Sequence, residues 1–232
     1  MTAYLFPPPS VRSVPVVGEV AEYPVHRIFC VGRNYADHAR EMGNTVDRSA
    51  PFYFTKSLTA LAPSGARLPY PPGTADYQHE VELVVALGAP LFRADAAATG
   101  AAILGYAVGL DMTRRDLQGA SKDKRQPWDT GKDFEGSAVV GAITRRAGAG
   151  EVTAKSLRLW VDGQERQTGR LSDMVWQVAD IIAHLSGLYH LGPGDLIFTG
   201  TPAGVGPVLP GNRILGRIDG WPEVALEIEA QH

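Results

Sequence analysis

Three carboxylates stand out in the sequence by their surroundings. Glu80 and Glu82 lie two apart in Tyr77-Gln78-His79-Glu80-Val81-Glu82-Leu83-Val84-Val85-Ala86-Leu87, a stretch rich in β-branched and aliphatic residues with no Pro or Gly, the composition of a strand. Side chains two apart on a strand share a face, about 6–7 Å from each other, so both glutamates point the same way beside Val84. Asp111 closes a second apolar run, residues 105–111, just before the expected start of a helix, where the helix field tolerates an anion. Like charges on a half-buried face are unfavourable unless something positive lies between them. Three carboxylates from two strands make an open oxygen site suited to Mg2+ or Mn2+, with positions left for water and substrate. The competing reading is an ordinary strand whose outer face is wet, and an isolated Glu-x-Glu does not exclude it.

Two further constellations carry chemistry. His38 and Glu41, at i and i+3 on a short helical stretch, share a face; a carboxylate beside an imidazole raises its basicity, and such a pair can activate water. Arg115 and Gln118 repeat the same spacing on the helix after Asp111, with Arg114 off that face. With Lys132 they offer donors to a substrate carboxylate or a developing oxyanion. Solvated helix residues without a duty are the alternative in both cases. The segment Gly200-Thr201-Pro202-Ala203-Gly204-Val205-Gly206 is glycine-rich but lacks a Gly-Lys-Ser/Thr ending, which argues against a phosphate loop. Ser137 and Ser186 lack a nucleophile-elbow context. Cys30 reads as core packing, and His184 and His190 receive no role.

The elements that must position these residues follow from composition. Residues 1–24 read as an extended arm, because Pro7-Pro8-Pro9, Pro15 and Pro24 forbid helix, although Val14, Val16 and Val17 can pair as a short strand. Residues 25–232 read as one catalytic domain. Strands are expected over 28–32, 52–55, 77–87, 105–111, 137–144, 157–161, 196–199 and 224–228, with Asp162-Gly163 as a hairpin turn. Helices are expected over 35–42 (Asn34 as N-cap, Gly43 as C′), over 95–104, from a Thr113-to-Asp116 capping box past Gln118, and over 175–185 on the apolar period Val175, Val178, Ile181, Ile182, Leu185. Residues 121–125 are highly charged and read as solvated. Mainly β with about four helices that do not alternate with strands is an α+β pattern, against a Rossmann or barrel fold.

Bulk properties exclude several functions. The chain has 232 residues, 44% hydrophobic and 20% charged, with a net charge of −3, so it carries no electrostatic footprint for nucleic acid or an anionic membrane. No apolar run approaches the roughly 20 residues of a membrane helix. Pro7-Pro8-Pro9 stands where a signal peptide needs its apolar helix, which makes a cytoplasmic location the expectation. Cys30 is the only cysteine, so intrachain disulfides and cysteine zinc sites are excluded.

Four motifs in order complete the reading: residues 30–38 (Cys-Val-Gly-Arg-Asn-Tyr-Ala-Asp-His), 79–82 (His-Glu-Val-Glu), 111–118 (Asp-Met-Thr-Arg-Arg-Asp-Leu-Gln) and 199–206 (Thr-Gly-Thr-Pro-Ala-Gly-Val-Gly). With them the chain resembles the fumarylacetoacetate hydrolase family, of the short single-domain type, over residues 25–230. The proline-rich arm and Ile182-Ala183-His184-Leu185-Ser186-Gly187 resemble the members that act on fumarylpyruvate in the gentisate pathway of aromatic catabolism. The resemblance implies a mixed β-sandwich roll, a homodimer, and a divalent metal on Glu80, Glu82 and Asp111, with Mg2+ the first expectation and Mn2+ or Ca2+ as alternatives. It implies that His38 and Glu41 are the water-activating dyad, on a segment that acts as a lid. Lys132 and Gln118 are then oxyanion donors, and Arg115, Thr201, Arg33 and Tyr35 contact the substrate. The implied reaction is hydrolysis of a carbon–carbon bond in a small 2,4-dioxo acid, fumarylpyruvate giving fumarate and pyruvate. Acylpyruvate hydrolysis, oxaloacetate decarboxylation and isomerisation of an unsaturated dioxo acid are the rivals on the same scaffold; a metal-stabilised non-enzymatic module is the rival of another class. Two positions depart from the family pattern: Lys56-Ser57 replaces Lys-Pro, and Lys132-Asp133-Phe134 replaces Lys-Ser-Phe.

Overall fold

A computed structural model describes residues 3–43 and 45–230; the first two residues of the expected arm and the last two of the expected domain lie outside them. Alternation along the strand Val81–Leu87 organises what is described. Val81, Leu83, Val85 and Leu87 join one apolar cluster, while Val84 and Ala86 join another on the opposite face, as the two-residue repeat of a strand requires. Every residue of this strand is buried. It sits near the middle of an eight-stranded mixed sheet ordered Phe52–Lys56, Arg27–Gly32, Asp195–Phe198, Val81–Leu87, Ile103–Asp111, Ala138–Val140 and Leu61–Pro63, with Thr144–Arg145 also pairing along Ile103–Asp111.

A five-stranded sheet covers one face, in the order Gln164–Arg170, Ser156–Val161, Arg213–Ile218, Val224–Ile228 and Ala66–Leu68. Leu157, Leu159, Ile214, Ile218 and Val224 bury themselves there with Val81, Val108 and Leu110. Gly216 permits the close approach, since a Cβ at that position would stand 2.9 Å from Val81 Cγ2. The helix Val178–Leu188 adds Ile181, Ile182 and Leu185 to the same cluster. The opposite face is closed by residues 14–25: Val14, Val16, Tyr23 and Val25 pack with Ile28, Cys30 and Phe198. The Val17 N–H donates to the Ile143 carbonyl at 2.9 Å. Tyr4, Leu5 and Phe6, further out, are exposed. The expected α+β class and mixed sandwich-like roll are borne out, with five α-helices among the described residues. Among the described residues no helix is long and apolar enough to cross a membrane.

Several local expectations are corrected. The single strand over 77–87 is two, Tyr77–His79 and Val81–Leu87, interrupted at Glu80. The first piece belongs to a three-stranded sheet with Thr113–Arg114 and Gly206–Pro207. The expected strand over 137–144 is likewise split, into Ala138–Val140 and Thr144–Arg145. Asn34 does not cap the helix Ala36–Glu41; its side chain instead accepts from the Trp176 N–H at 2.7 Å and donates to the Trp176 and Thr199 carbonyls. No capping box opens the helix Arg115–Asp123: Thr113 Oγ1 donates to the Asp111 carbonyl, and Asp116 accepts from Thr74 and the Ala75 N–H. Asn34 and Asp116 are drawn to distant segments, and Thr113 to a carbonyl two residues back, so none of them caps its own helix.

Candidate active site

The interruption at Glu80 brings the carboxylates together. Its carbonyl accepts from the Asp111 N–H at 2.8 Å, so the gap between two strands is fastened to the end of a third. Glu80, Glu82 and Asp111 are all buried and can each place an oxygen within 4.8 Å of the others. Lys132 Nζ donates to Glu80 Oε2 and to Asp111 Oδ2, at 2.7 Å each, and Arg115 donates to Glu80 Oε1. Lys56 Nζ lies 2.9 Å from Asp111 Oδ1, but off the hydrogen-bonding direction, so that oxygen has no hydrogen bond.

Glu82 is treated differently. Its Oε2 accepts only the Gly200 N–H, at 2.7 Å, and no cation of the described residues pairs with it. Burial, then repulsion from Asp111 and Glu80, push its pKa well above the ordinary carboxylate range. Burial also opposes ionisation of Glu80, but Lys132, Arg115 and His38 outweigh it and hold that pKa low. An all-oxygen donor set with an unbonded carboxylate oxygen and one carboxyl lacking a counter-charge fits a hard divalent cation.

The second half of the site rests on the helix Ala36–Glu41. His38 Nδ1 lies 3.2 Å from Glu41 Oε2, and Glu41 also accepts the Gly204 N–H at 3.0 Å. Gly204 has φ +96°, and a Cβ there would come within 2.1 Å of the Arg166 carbonyl oxygen, so only glycine fits. The loop that lacks a phosphate-binding ending thus still serves anions, giving one N–H to Glu82 and another to Glu41. The expected rise in His38 basicity is corrected: burial lowers its pKa, and the opposing pull of Glu80 and Glu41 is too small to reverse this. His38 and the three carboxylates line one cleft.

The family model for the fumarylacetoacetate (FAA) hydrolase C-terminal region matches residues 27–228. The chain belongs to the fumarylacetoacetate hydrolase family. It is 49% identical to a fumarylpyruvate hydrolase of Ralstonia sp over 81% of this chain and 98% of that one. It is 40% identical to an oxaloacetate tautomerase of Escherichia coli (strain K12), over 88% and 93% respectively. A crystal structure of fumarylpyruvate hydrolase from Pseudomonas aeruginosa in complex with Mn2+ and pyruvate superposes with a TM-score of 0.94 at 41% identity, covering 99% of this chain and all of that one. The expectation of an enzyme of carbon–carbon hydrolase type is borne out by these relatives.

Within this family frame the other expected residues fall into two groups. Arg115, Gln118, Lys132, Thr201 and Arg33 line the cleft. Arg115 is held inside the protein, donating to Gln78 Oε1 at 2.8 Å and Gln118 Oε1 at 2.7 Å besides Glu80. Accepting from Arg115 fixes the Gln118 amide, so its NH2 end is the one left to donate. The Thr201 hydroxyl donates to the Val81 carbonyl at 2.8 Å and accepts from Gln167 Nε2 at 2.7 Å. Tyr35 is not brought to the cleft; it is buried and borders a separate pocket with Asp37, Thr168 and Pro202.

Sequence reading missed four residues here. Lys56 faces Asp111 and donates to Ser137 Oγ at 2.9 Å; Phe52, Phe54 and Lys56 alternate on one strand, which is the signal that could have found it. Gln167 holds His79 Nδ1 at 2.9 Å as well as Thr201. Lys122 and Trp128 line the cleft, although residues 121–125 read as solvated. The two departures from the family pattern meet each other: Asp133 Oδ1 accepts from the Ser57 N–H at 2.9 Å and from Ser57 Oγ at 2.8 Å. They tie together the two segments that carry Lys56 and Lys132.

Proposed function

We propose that this protein hydrolyses the carbon–carbon bond of a 2,4-dioxo acid, converting fumarylpyruvate and water to fumarate and pyruvate, with Mg2+ as the working cation. The observation that carries the reading is the convergence of His38, held by Glu41 behind it, with the acidic triad and the buried Lys132 on one cleft. With Nδ1 turned to Glu41, His38 has Nε2 available to take a proton from a water that attacks the distal ketone. Lys132 stays cationic, because Asp111 and Glu80 outweigh the burial that opposes its charge. Together with the Gln118 NH2, it donates to the oxyanion of the tetrahedral intermediate. The imidazolium returns its proton as the bond breaks and the pyruvate half departs. When bound to Glu80, Glu82 and Asp111, a divalent cation supplies Lewis acidity that stabilises negative charge on that departing half. Arg115 orients Glu80 and Gln118 rather than searching for substrate.

The direct test is pyruvate release from fumarylpyruvate by the purified protein with Mg2+, beside acetylpyruvate and oxaloacetate. Pyruvate from the dioxo acids, lost on adding EDTA and restored by Mg2+, is the expected result. Tautomerisation of oxaloacetate with no pyruvate from any dioxo acid would replace this reading with the activity named for the Escherichia coli relative.

A further inference from the structure

Two cations of the cleft have no anion. Its carboxylates pair with Arg115, Lys132 and Lys56, whereas Arg33 and Lys122 line the same cleft without a carboxylate partner among the described residues. Arg33 Nε is buried and makes no hydrogen bond. Both groups lie against one indole: the Arg33 guanidinium is 5.8 Å and Lys122 Nζ 4.9 Å from the Trp128 ring centroid. Phe52 backs Arg33 from 5.9 Å. Arg33 also adopts φ +60°, a left-handed conformation uncommon for arginine, which sets the direction in which its long side chain leaves the strand Arg27–Gly32.

Gathering unpaired cations in a half-buried place is unfavourable. The effect is visible on Lys122, whose pKa is pushed down to about 8 by burial first and then by repulsion from Arg115 and Arg33. A carboxylate entering between Arg33 and Lys122 would relieve that repulsion and form charge-assisted hydrogen bonds. Position favours this. On the helix Arg115–Asp123, Lys122 follows Gln118 by four residues, which places it on the same face roughly 6 Å further along the axis. A substrate whose scissile ketone meets Gln118 would extend its acyl tail toward Lys122.

Resting on the dioxo-acid reading above, we propose that Arg33 and Lys122 form a subsite for a carboxylate at the far end of the substrate's acyl group. The subsite selects acyl groups that carry a second acid, such as fumaryl, over neutral ones of the same length.

The test compares fumarate with trans-crotonate, which has a methyl group in place of the second carboxylate, by calorimetry on the Mg2+-loaded protein. The wild type is expected to bind fumarate at least roughly tenfold more tightly than crotonate, the scale of one charge-assisted hydrogen bond. Lys122→Met keeps the aliphatic stem on Trp128 and should abolish most of that preference, Lys122→Arg should restore it, and Arg33→Gln provides a second variant. In steady-state assays Lys122→Met should lower the ratio of kcat/KM for fumarylpyruvate over acetylpyruvate, mainly through KM. Equal wild-type binding of the two acids, or a fumarate preference that survives both variants, overturns the proposal. A preference that depends on Lys122 in a protein releasing no pyruvate would refute the hydrolase reading and leave the subsite standing. Pyruvate release with an unaffected preference would do the reverse.

Discussion

The acidic triad and His38, with Glu41 behind it, meet at one cleft on different supports. Glu82 lies within, and Asp111 ends, neighbouring strands of the largest sheet, and the side chains of Glu80 and Asp111 are only 6% and 1% exposed. The dyad rides on a helix of six residues, and Glu41 is 34% exposed. A helix that short has little stability of its own; tertiary bonds at both ends hold it, including Gly204 on Glu41 and Trp176, Val175 and Thr199 on Asn34. The difference matches the two tasks. A cation site requires ligands that cannot relax apart once like charges are gathered, which a doubly covered sheet provides. A base that takes a proton from water must border solvent and let substrate pass, which suits a short helix at the rim of the cleft.

If the triad is the rigid member, damage to it should be the more complete. Glu82→Ala is expected to lower kcat/KM by more than about 100-fold, beyond the usual effect of an outer-shell change, with added Mg2+ failing to rescue it in pyruvate-release assays. His38→Ala should cost about 10²- to 10⁴-fold in kcat while leaving Mg2+ binding, measured by calorimetry, close to that of the wild type. Loss of metal affinity in His38→Ala would erase the distinction between the two supports.

The pH profile sharpens the comparison further. His38 must be neutral to act as base, and burial lowers its pKa, so the acid limb of kcat/KM is expected below about 6.5, the ordinary histidine value. Glu41 pulls that pKa upward, so Glu41→Gln should move the limb to still lower pH. A shift to higher pH would contradict the geometry. The smallest expected effect is at the tie between the departures from the family pattern. Asp133→Ala removes two hydrogen bonds to Ser57 at an exposed edge and should cost about 1 kcal/mol of stability in denaturant melts. A drop in kcat larger than that in stability would mean that the tie also positions Lys56 and Lys132.

Much of this site was legible because its geometry repeats locally. The Glu-x-Glu spacing flagged Glu80 and Glu82, although the strand breaks at Glu80; the helical period paired His38 with Glu41 and Arg115 with Gln118. Those relations need only φ and ψ to be regular, so the order of residues determines them, along with the apolar alternation that makes Val81–Leu87 a central strand. Tertiary structure alone decided how each charge is balanced. Lys56 reaches Asp111 across 55 positions and Gln167 reaches His79 across 88, separations over which no periodicity carries information. Burial, a property of the whole packed chain, outweighed Glu41 in setting the His38 pKa. Packing likewise turned Lys122 from an expected solvated charge onto Trp128. Spacing named the groups that could do the chemistry; the neighbours that set their charge and direction came from packing between distant parts of the chain.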